Sequence, residues 1–481
     1  MPWLIWAVPL AVLLTLAAVV AVRTWRFKPP AEEAVSPADI PFDAQKAIDD
    51  LQRMIRCATI SRYDPAHEDD TAFVRFRALL PELFPRVHQS LSLEMVGRHG
   101  LLYRWRGRNQ DRPVVLMAHY DVVPVEESHW TQPPFAGVIA DGCLWGRGAL
   151  DTKPTVNGIL QAAETLLGRG FVPQQDIYLA FGGNEEIMGQ DAPDMIAWFS
   201  ARNIRPALVV DEGGAVVEHV FPGVRRSCAV IGTGEKGVMQ LTMTAKTNGG
   251  HASAPPRVSS IGRLSRACLR VETHPHKRRL TAPVAGLFDT LGRHSSSLYR
   301  VIFANLWLFT GLLDLICKQK GGELNALMRT TVAWTQASGS SQTNVMPALA
   351  KMGANLRLVP GDSCADVLAR LEKIVRDPQL QLEASGCQEP SPLSVTGNHD
   401  GWLKVRQAVR AIWPEALVSP YLMIACSDSR HYSRICDQVY RFSAMALTDE
   451  LRKTIHGNDE RIPLDAIGKA VAFYLELMLR C

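Results

Sequence analysis

Strand-length apolar runs alternate with helix-length runs through the first half of this chain, and that alternation leaves few folds open. Val114 to His119 is a continuous apolar run of strand length, and "PTVNGILQAAETLLGRG" after Asp151 reads as a helix ending at glycine. "DIYLAFGG" is the next strand, "DMIAWFSAR" the next helix and "ALVVDEGG" a further strand. Such alternation specifies an α/β layered sheet with helices on both faces. Ligands collect at the carboxyl ends of strands in these sheets, which is where His119, Glu185, Glu186 and Asp211 fall.

At 481 residues the chain exceeds one compact core, so two domains with accessory segments are expected. The pattern changes near Lys236. "GVMQLTMTAK" and "MGANLRLVPG" alternate as half-buried strands with helical stretches around them, so 237–385 is expected to be a smaller α+β domain inserted into a larger one. The larger domain then comprises 46–236 and 386–481 and ends in the helix "AIGKAVAFYLELMLR". Upstream, Trp3 to Val22 runs for 20 residues without a charge, enough to cross a bilayer core of about 30 Å. Residues 1–28 are therefore expected to form an uncleaved single-pass anchor, because no basic residue precedes the run as it would in a signal peptide. Residues 29–45 are proline-rich and polar, a linker. Arg23, Arg26 and Lys28 would place the body in the cytoplasm by the positive-inside tendency. The segment 299–317 ("YRVIFANLWLFTGLLDLIC") is strongly apolar, but its charges argue against a second span. It reads as a buried or dimer-interface helix, or as an apolar wall for a substrate or a membrane surface.

The net charge of +4 gives no case for nucleic-acid binding. Ten cysteines without a CxxC pair support neither a cysteine zinc site nor a compact disulfide framework. The donors worth weighing are imidazoles and carboxylates, which suit zinc. His119 and Asp121 lie on one face of an extended segment, so Asp121 can accept the second imidazole N–H and fix the tautomer. Asp151 sits between glycine turns and a helix, where it serves as an N-cap or a ligand. Glu185 and Glu186 are adjacent acids after a buried strand, a repulsion that calls for a cation or a shared proton. One can ligate while the other acts as general base. Asp211 ends another apolar strand, and His456 supplies a second histidine far downstream.

Taken in order, "MAHYDVVPV", "GRGALDTK", "GGNEEIMG", "VVDEGG", "GHAS" and "IHGNDERI" resemble the motifs of the dizinc exopeptidases that include carboxypeptidase S, glutamate carboxypeptidase, aminoacylase and succinyl-diaminopimelate desuccinylase. The likeness covers about residues 45 to 481 and is greatest to the carboxypeptidase S and N-acyl-amino-acid hydrolase branch. It implies a zinc-exopeptidase-like three-layer domain, an inserted lid that dimerises, and two Zn2+ per subunit. His119, Glu186, Asp211 and His456 match terminal ligands, Asp151 the bridging carboxylate, Glu185 the general base, and Asp121 the group that orients His119. His251 of "GHAS" matches a residue that reaches the partner subunit's site and polarises the scissile carbonyl. Asn344 and Arg357 match positions that recognise a free substrate carboxylate, while Asp428, Arg430 and His431 are expected to line the pocket. Two departures, Asn184 where an aspartate is common and "IACSDSRHY" without its usual glycines, touch substrate choice rather than the ligands.

The expected activity is zinc-dependent cleavage of an amide bond next to a free carboxylate, on short or blocked peptides. Hydrolysis or synthesis of N-acyl amino acids is the alternative, favoured slightly by the anchor and the apolar 299–317 segment. A non-catalytic zinc-binding membrane scaffold and a zinc aminopeptidase fit less well. A homodimer is expected. The carboxypeptidase S relatives imply a lumenal or extracellular body, against the charge rule, and an extracytoplasmic catalytic domain is the expectation kept.

Overall fold

The computed structural model describes residues 3–31, 34–218 and 223–481. Met1 and Pro2 of the expected anchor, and Glu32 and Glu33 of the expected linker, lie outside them. Its centre is an eight-stranded mixed sheet, in the order Ser92–Val96, Gly100–Trp105, Gln175–Gly182, Asn109–His119, Leu208–Val217, Val439–Leu447, Cys228–Glu235, Leu417–Met423. The middle strands Gln175–Gly182, Asn109–His119, Leu208–Val217 and Val439–Leu447 are parallel neighbours, so their carboxyl ends open on one edge. The expected α/β architecture is thus borne out.

Side-chain alternation builds the layers. Val114, Leu116 and Ala118 face one core, with Ile177, Leu179 and Phe181 beside them. Val115 and Met117 face the opposite core, with Tyr178, Met195 and Phe199. The helix Lys153–Leu167 starts with Pro154 in its first turn and stops at Gly168, the signals read from sequence. It is buried along nearly its whole length between the sheet and the helices Ala44–Ile55 and Leu464–Met478. Gly158 permits that approach, because a Cβ there would meet Tyr474 Cδ2 at 3.1 Å.

A second, four-stranded antiparallel sheet has the order Thr331–Ser338, Leu349–Leu358, Gly237–Lys246, Leu380–Gln388. The helices Ser260–Thr273 and Cys364–Val375 cover it and complete a separate apolar core around Met239, Leu241, Leu264, Leu356 and Leu371. A disulfide between Cys364 and Cys387 closes its edge. Other residues of the 237–385 span behave differently. The helix Ala282–Arg293 packs on the strand Leu417–Met423, and Val284, Leu287, Phe303 and Leu327 belong to the core of the large sheet.

The N-terminal helix Trp3–Arg26 contains Trp6–Arg26, long and apolar enough by length and composition to cross a membrane, and no residue of its most apolar window is buried. Its last turns touch the body. Arg23 Nε donates to Ala304 O at 3.1 Å, and Asn305 Nδ2 donates to Thr24 Oγ1 at 3.2 Å.

Arg441 and Glu235 pair at 3.0 Å with both side chains buried, joining two neighbouring strands of the large sheet. Burial pushes the Glu235 carboxyl up, and Arg441 works against that shift. Arg441→Met strands a buried carboxylate and is expected to cost about 3–5 kcal/mol in denaturant unfolding, with part of the loss recovered by adding Glu235→Leu.

Candidate active site

At the carboxyl edge of the parallel strands, His119 ends its strand with the ring buried. Nδ1 donates to the backbone carbonyl of Asp121 at 3.0 Å, which turns Nε2 outward. Nε2 lies 2.9 Å from Asp151 Oδ1 and 3.1 Å from Glu212 Oε1. The other oxygen of Asp151 belongs to a different group: Oδ2 is 3.2 Å from His456 Nε2, which sits 3.0 Å from Glu186 Oε2. His119, Asp151 and Glu212 thus form one donor cluster, and Asp151, Glu186 and His456 another. Asp151 is common to both.

Asp121 has a broader part than sequence indicated. Its carboxylate is 3.3 Å from the His119 ring, yet it accepts from the backbone N–H groups of Glu185 at 3.2 Å and Glu186 at 3.1 Å, and from the Ser61 hydroxyl at 2.7 Å. One buried carboxylate therefore sets the turn that carries the paired glutamates.

Glu212 occupies the place expected for Asp211, and the cause is a bulge. Asp211 pairs with Arg441, but the next residue of that partner strand, Phe442, pairs with Gly214, leaving Glu212 and Gly213 as extra residues. A bulge re-aims side chains that strict alternation would send elsewhere. Gly213 has φ 140°, and a Cβ there would lie 2.6 Å from Met423 Sδ. Asp211 is instead buried behind the site, accepting from Ser429 N at 3.0 Å. Asp211 and Glu212 are adjacent acids, so the sequence offered both. What selects between them is the pairing with Arg441, which no local pattern reveals.

Glu460 was also unread. Its Oε1 accepts from Leu150 N at 2.7 Å and Asp151 N at 3.1 Å, and Oε2 accepts from Arg147 Nη1 at 2.7 Å and Gly148 N at 3.1 Å. It lies four residues beyond His456, within a quoted motif whose second acid was the available signal.

Carboxylates dominate the electrostatics. Burial, reinforced by Asp151 and Asp211, pushes Glu212 up to about 8. Burial also raises Glu185 well above the carboxylate range, with Asp428, Glu212 and Glu186 adding to it. Asp428 is pushed up to about 7 by burial and by Asp211. For Asp151 burial is outweighed, and hydrogen bonds from His119 and His456 hold its carboxyl well below the usual range. Hydrogen bonds to Asp151 and Glu186 raise His456 to about 10. Such crowding of buried acids around two imidazoles is what a pair of cations would relieve.

Among the remaining expected residues, Arg357 and Arg430 come together around one loop. Arg357 Nη1 donates to Cys426 Sγ at 3.2 Å, and the charges of both arginines bear on that thiol. All three guanidinium nitrogens of Arg430 are buried without a hydrogen-bond partner among the described residues, as is Nδ1 of His431. His251 and Asn344 are not part of this cluster. They flank an exposed two-stranded pairing in which Ala252 N donates to Asn344 O at 2.9 Å, and the His251 ring contacts Ser253 Oγ. A cavity of about 610 Å3 opens beside Gly213 and Ile455, the neighbours of Glu212 and His456, and is lined by Val230, Leu287, Leu324 and Leu327.

Residues 115–480 match the model of peptidase family M20/M25/M40. This chain belongs to the M20 peptidase family. As an M20 member it is an enzyme, a hydrolase of the metallopeptidase and amidohydrolase kind. It is 35% identical over 470 residues to a probable carboxypeptidase S-like 2 of Dictyostelium discoideum, covering 95% of this chain and 90% of that protein. It is 33% identical to the N-fatty-acyl-amino acid synthase/hydrolase PM20D1.1 of Danio rerio, covering 99% of this chain and 95% of that protein. The M20 family metallo-carboxypeptidase Sso-CP2 from Sulfolobus solfataricus shares the fold, with a TM-score of 0.63 at 17% identity over 90% of this chain and 98% of that one. The resemblance read from the motifs is confirmed at the level of the family.

The M20 site yields two tests. Glu460→Gln sets an amide N–H against backbone donors, so metal affinity, measured by competition with a chelating dye, is expected to fall 10–100-fold with the fold retained. Without metal, Glu212, His119 and His456 hold protons in the folded protein that the unfolded chain releases. Their folded pKa values are raised, so the native state binds more protons and stability falls as pH rises. Chelated protein should therefore lose melting temperature between about pH 5 and 10, and saturating zinc should flatten the profile.

Proposed function

We propose that the chain cleaves an amide bond next to a free carboxylate, with two zinc ions held by His119, Glu212 and Asp151 on one side and Glu186, His456 and Asp151 on the other. The observation that carries this reading is Asp151, whose two oxygens face different donor clusters. Imidazole with carboxylate donors suits zinc. When bound, such an ion pair supplies Lewis acidity that activates water and polarises a carbonyl. Glu185, beside Glu186 but outside both clusters, takes the proton of the attacking water and returns it to the leaving amine. Its raised pKa suits a group that must both accept and release a proton. The unpartnered Arg430, with Arg357, binds the substrate carboxylate in a planar fork. In this reading Asp211 holds the 427–432 loop instead of a metal. His251 and Asn344 act across a homodimer, the four-stranded sheet serving as the lid; their exposure, and their place outside both donor clusters, support a role in a partner's site.

The cavity beside Gly213 and Ile455 carries the charged Glu218, Glu323, Asp449 and Arg452, but its wall of Val230, Leu287, Leu324 and Leu327 favours an N-acyl amino acid over a short peptide, because it offers a long chain somewhere to lie. The relative named as an N-fatty-acyl-amino acid synthase/hydrolase supports the same choice. The Trp6–Arg26 stretch serves as a single-pass anchor. The Cys364–Cys387 disulfide supports an extracytoplasmic body, where such bonds persist.

The deciding experiment measures turnover of a long-chain N-acyl amino acid and a blocked dipeptide, each with free and amidated carboxylate, with and without chelator. Turnover that needs both metal and the free carboxylate upholds the reading; turnover indifferent to the carboxylate refutes the part given to the arginines. Glu185→Gln is expected to lower kcat at least about 10²-fold with two zinc ions still bound by elemental analysis.

A further inference from the structure

The helix Leu306–Lys320 carries an apolar surface that none of the described residues covers. Trp307, Leu308, Leu312, Leu315 and Ile316 are each between 40% and 55% exposed. They recur at the i, i+4, i+8 spacing of one helical face, with Gly311 between them meeting no neighbour. The acid of this helix, Asp314, points the other way. It is buried and paired with Arg329, and it lies 3.0 Å from Lys318 Nζ. The outward face is thus free of negative charge, and exposed Lys318 and Lys320 end it.

Its position relative to the N-terminal helix identifies what covers it. The chain bends by 109° between the helix Ser297–Ala304 and this one. The residue at the bend, Asn305, donates to Thr24 Oγ1 at 3.2 Å and is 3.5 Å from Val20 O. The apolar helix therefore begins level with residues 20–24, where the uncharged run of the N-terminal helix gives way to Arg23, Arg26 and Lys28. Arg293 stacks on Phe27 at 4.5 Å and donates to Lys28 O at 2.9 Å, fixing this level against the body. An apolar helical face with a tryptophan and terminal lysines, held at the depth where a span leaves the hydrocarbon, is built for a bilayer interface.

We propose that the outward face of Leu306–Lys320 lies in the same membrane leaflet surface that the N-terminal helix enters, a second contact that seats the body on the bilayer. The proposal rests on reading the N-terminal helix as a span. It also deepens the substrate assignment. The helix that follows, Gly322–Met328, supplies Leu324 and Leu327 to the cavity beside Gly213 and Ile455, so one wall of that cavity continues the chain of the membrane contact.

The test uses the full chain reconstituted in vesicles of phosphatidylcholine and phosphatidylglycerol that carry doxyl-labelled acyl chains. An environment-sensitive fluorophore is placed at L312C, at L13C in the N-terminal helix, and at S92C, exposed on the edge strand of the large sheet opposite the one on which Ala282–Arg293 packs. Emission from the unsubstituted chain, whose free cysteines are buried or half-buried, is subtracted. The expected result is loss of emission at L312C comparable to that at L13C, with S92C unaffected. Quenching at L13C but not L312C overturns the second contact and leaves the span standing. Quenching at neither overturns both. Protection of L312C that grows with protein concentration and is insensitive to doxyl lipid also overturns the proposal, in favour of a second copy of the chain on this face.

Discussion

One buried carboxylate holds the two halves of the site at a common distance. Glu460 binds the backbone of Gly148, Leu150 and Asp151 together with the Arg147 guanidinium, and it lies on the loop that carries His456. The Asp151 loop precedes the central helix, whereas the His456 loop arrives some three hundred residues later. Both donor clusters need Asp151, so both depend on this clamp. Burial raises the Glu460 carboxyl, while Arg147 and the backbone N–H groups stabilise its charge. A neutral group could not satisfy the same donors.

The site is a balance of like charges, arranged in a hierarchy of commitment. Asp151, flanked by two imidazoles, is held ionised. Glu186 and Glu212 each have one imidazole partner and lie higher in pKa, and Glu185 has none. The ordering follows the number of imidazole partners, and in the proposed mechanism it gives the mobile proton to the residue least committed to binding. Arg430 stands apart as an opposite charge whose guanidinium has no hydrogen-bond partner among the described residues, and Asp428 and Glu235 act on it through charge alone.

Much of this was legible in the chain itself. His119, Glu185 and Glu186 could be found because each follows a buried parallel strand, and those strands announce themselves as unbroken apolar runs. Asp151 and His456 were legible as motifs. Glu212 was not, since its role depends on a register change against a strand more than two hundred residues away. The helices between Ala282 and Met328 were hidden for a similar reason. Their apolar faces said that something must cover them, but only tertiary packing assigns Val284 and Leu287 to the large sheet while Leu308 and Leu312 stay bare.

The extra residues at Glu212 and Gly213 have a mechanical consequence. Immediately before the irregularity, Asp211 grips the Ser429 amide, and immediately after it Glu212 reaches the His119 imidazole. Two neighbouring peptide units thus serve opposite sides of the strand, one addressing the loop that presents Arg430 and the other the catalytic metal edge. Any displacement of this strand along its axis moves both together. In the proposed reading, the carboxylate-binding loop and the metal-binding edge then behave as one lever with a single fulcrum, and a change in the 427–432 loop is transmitted to the donor clusters along the shortest covalent path the chain offers.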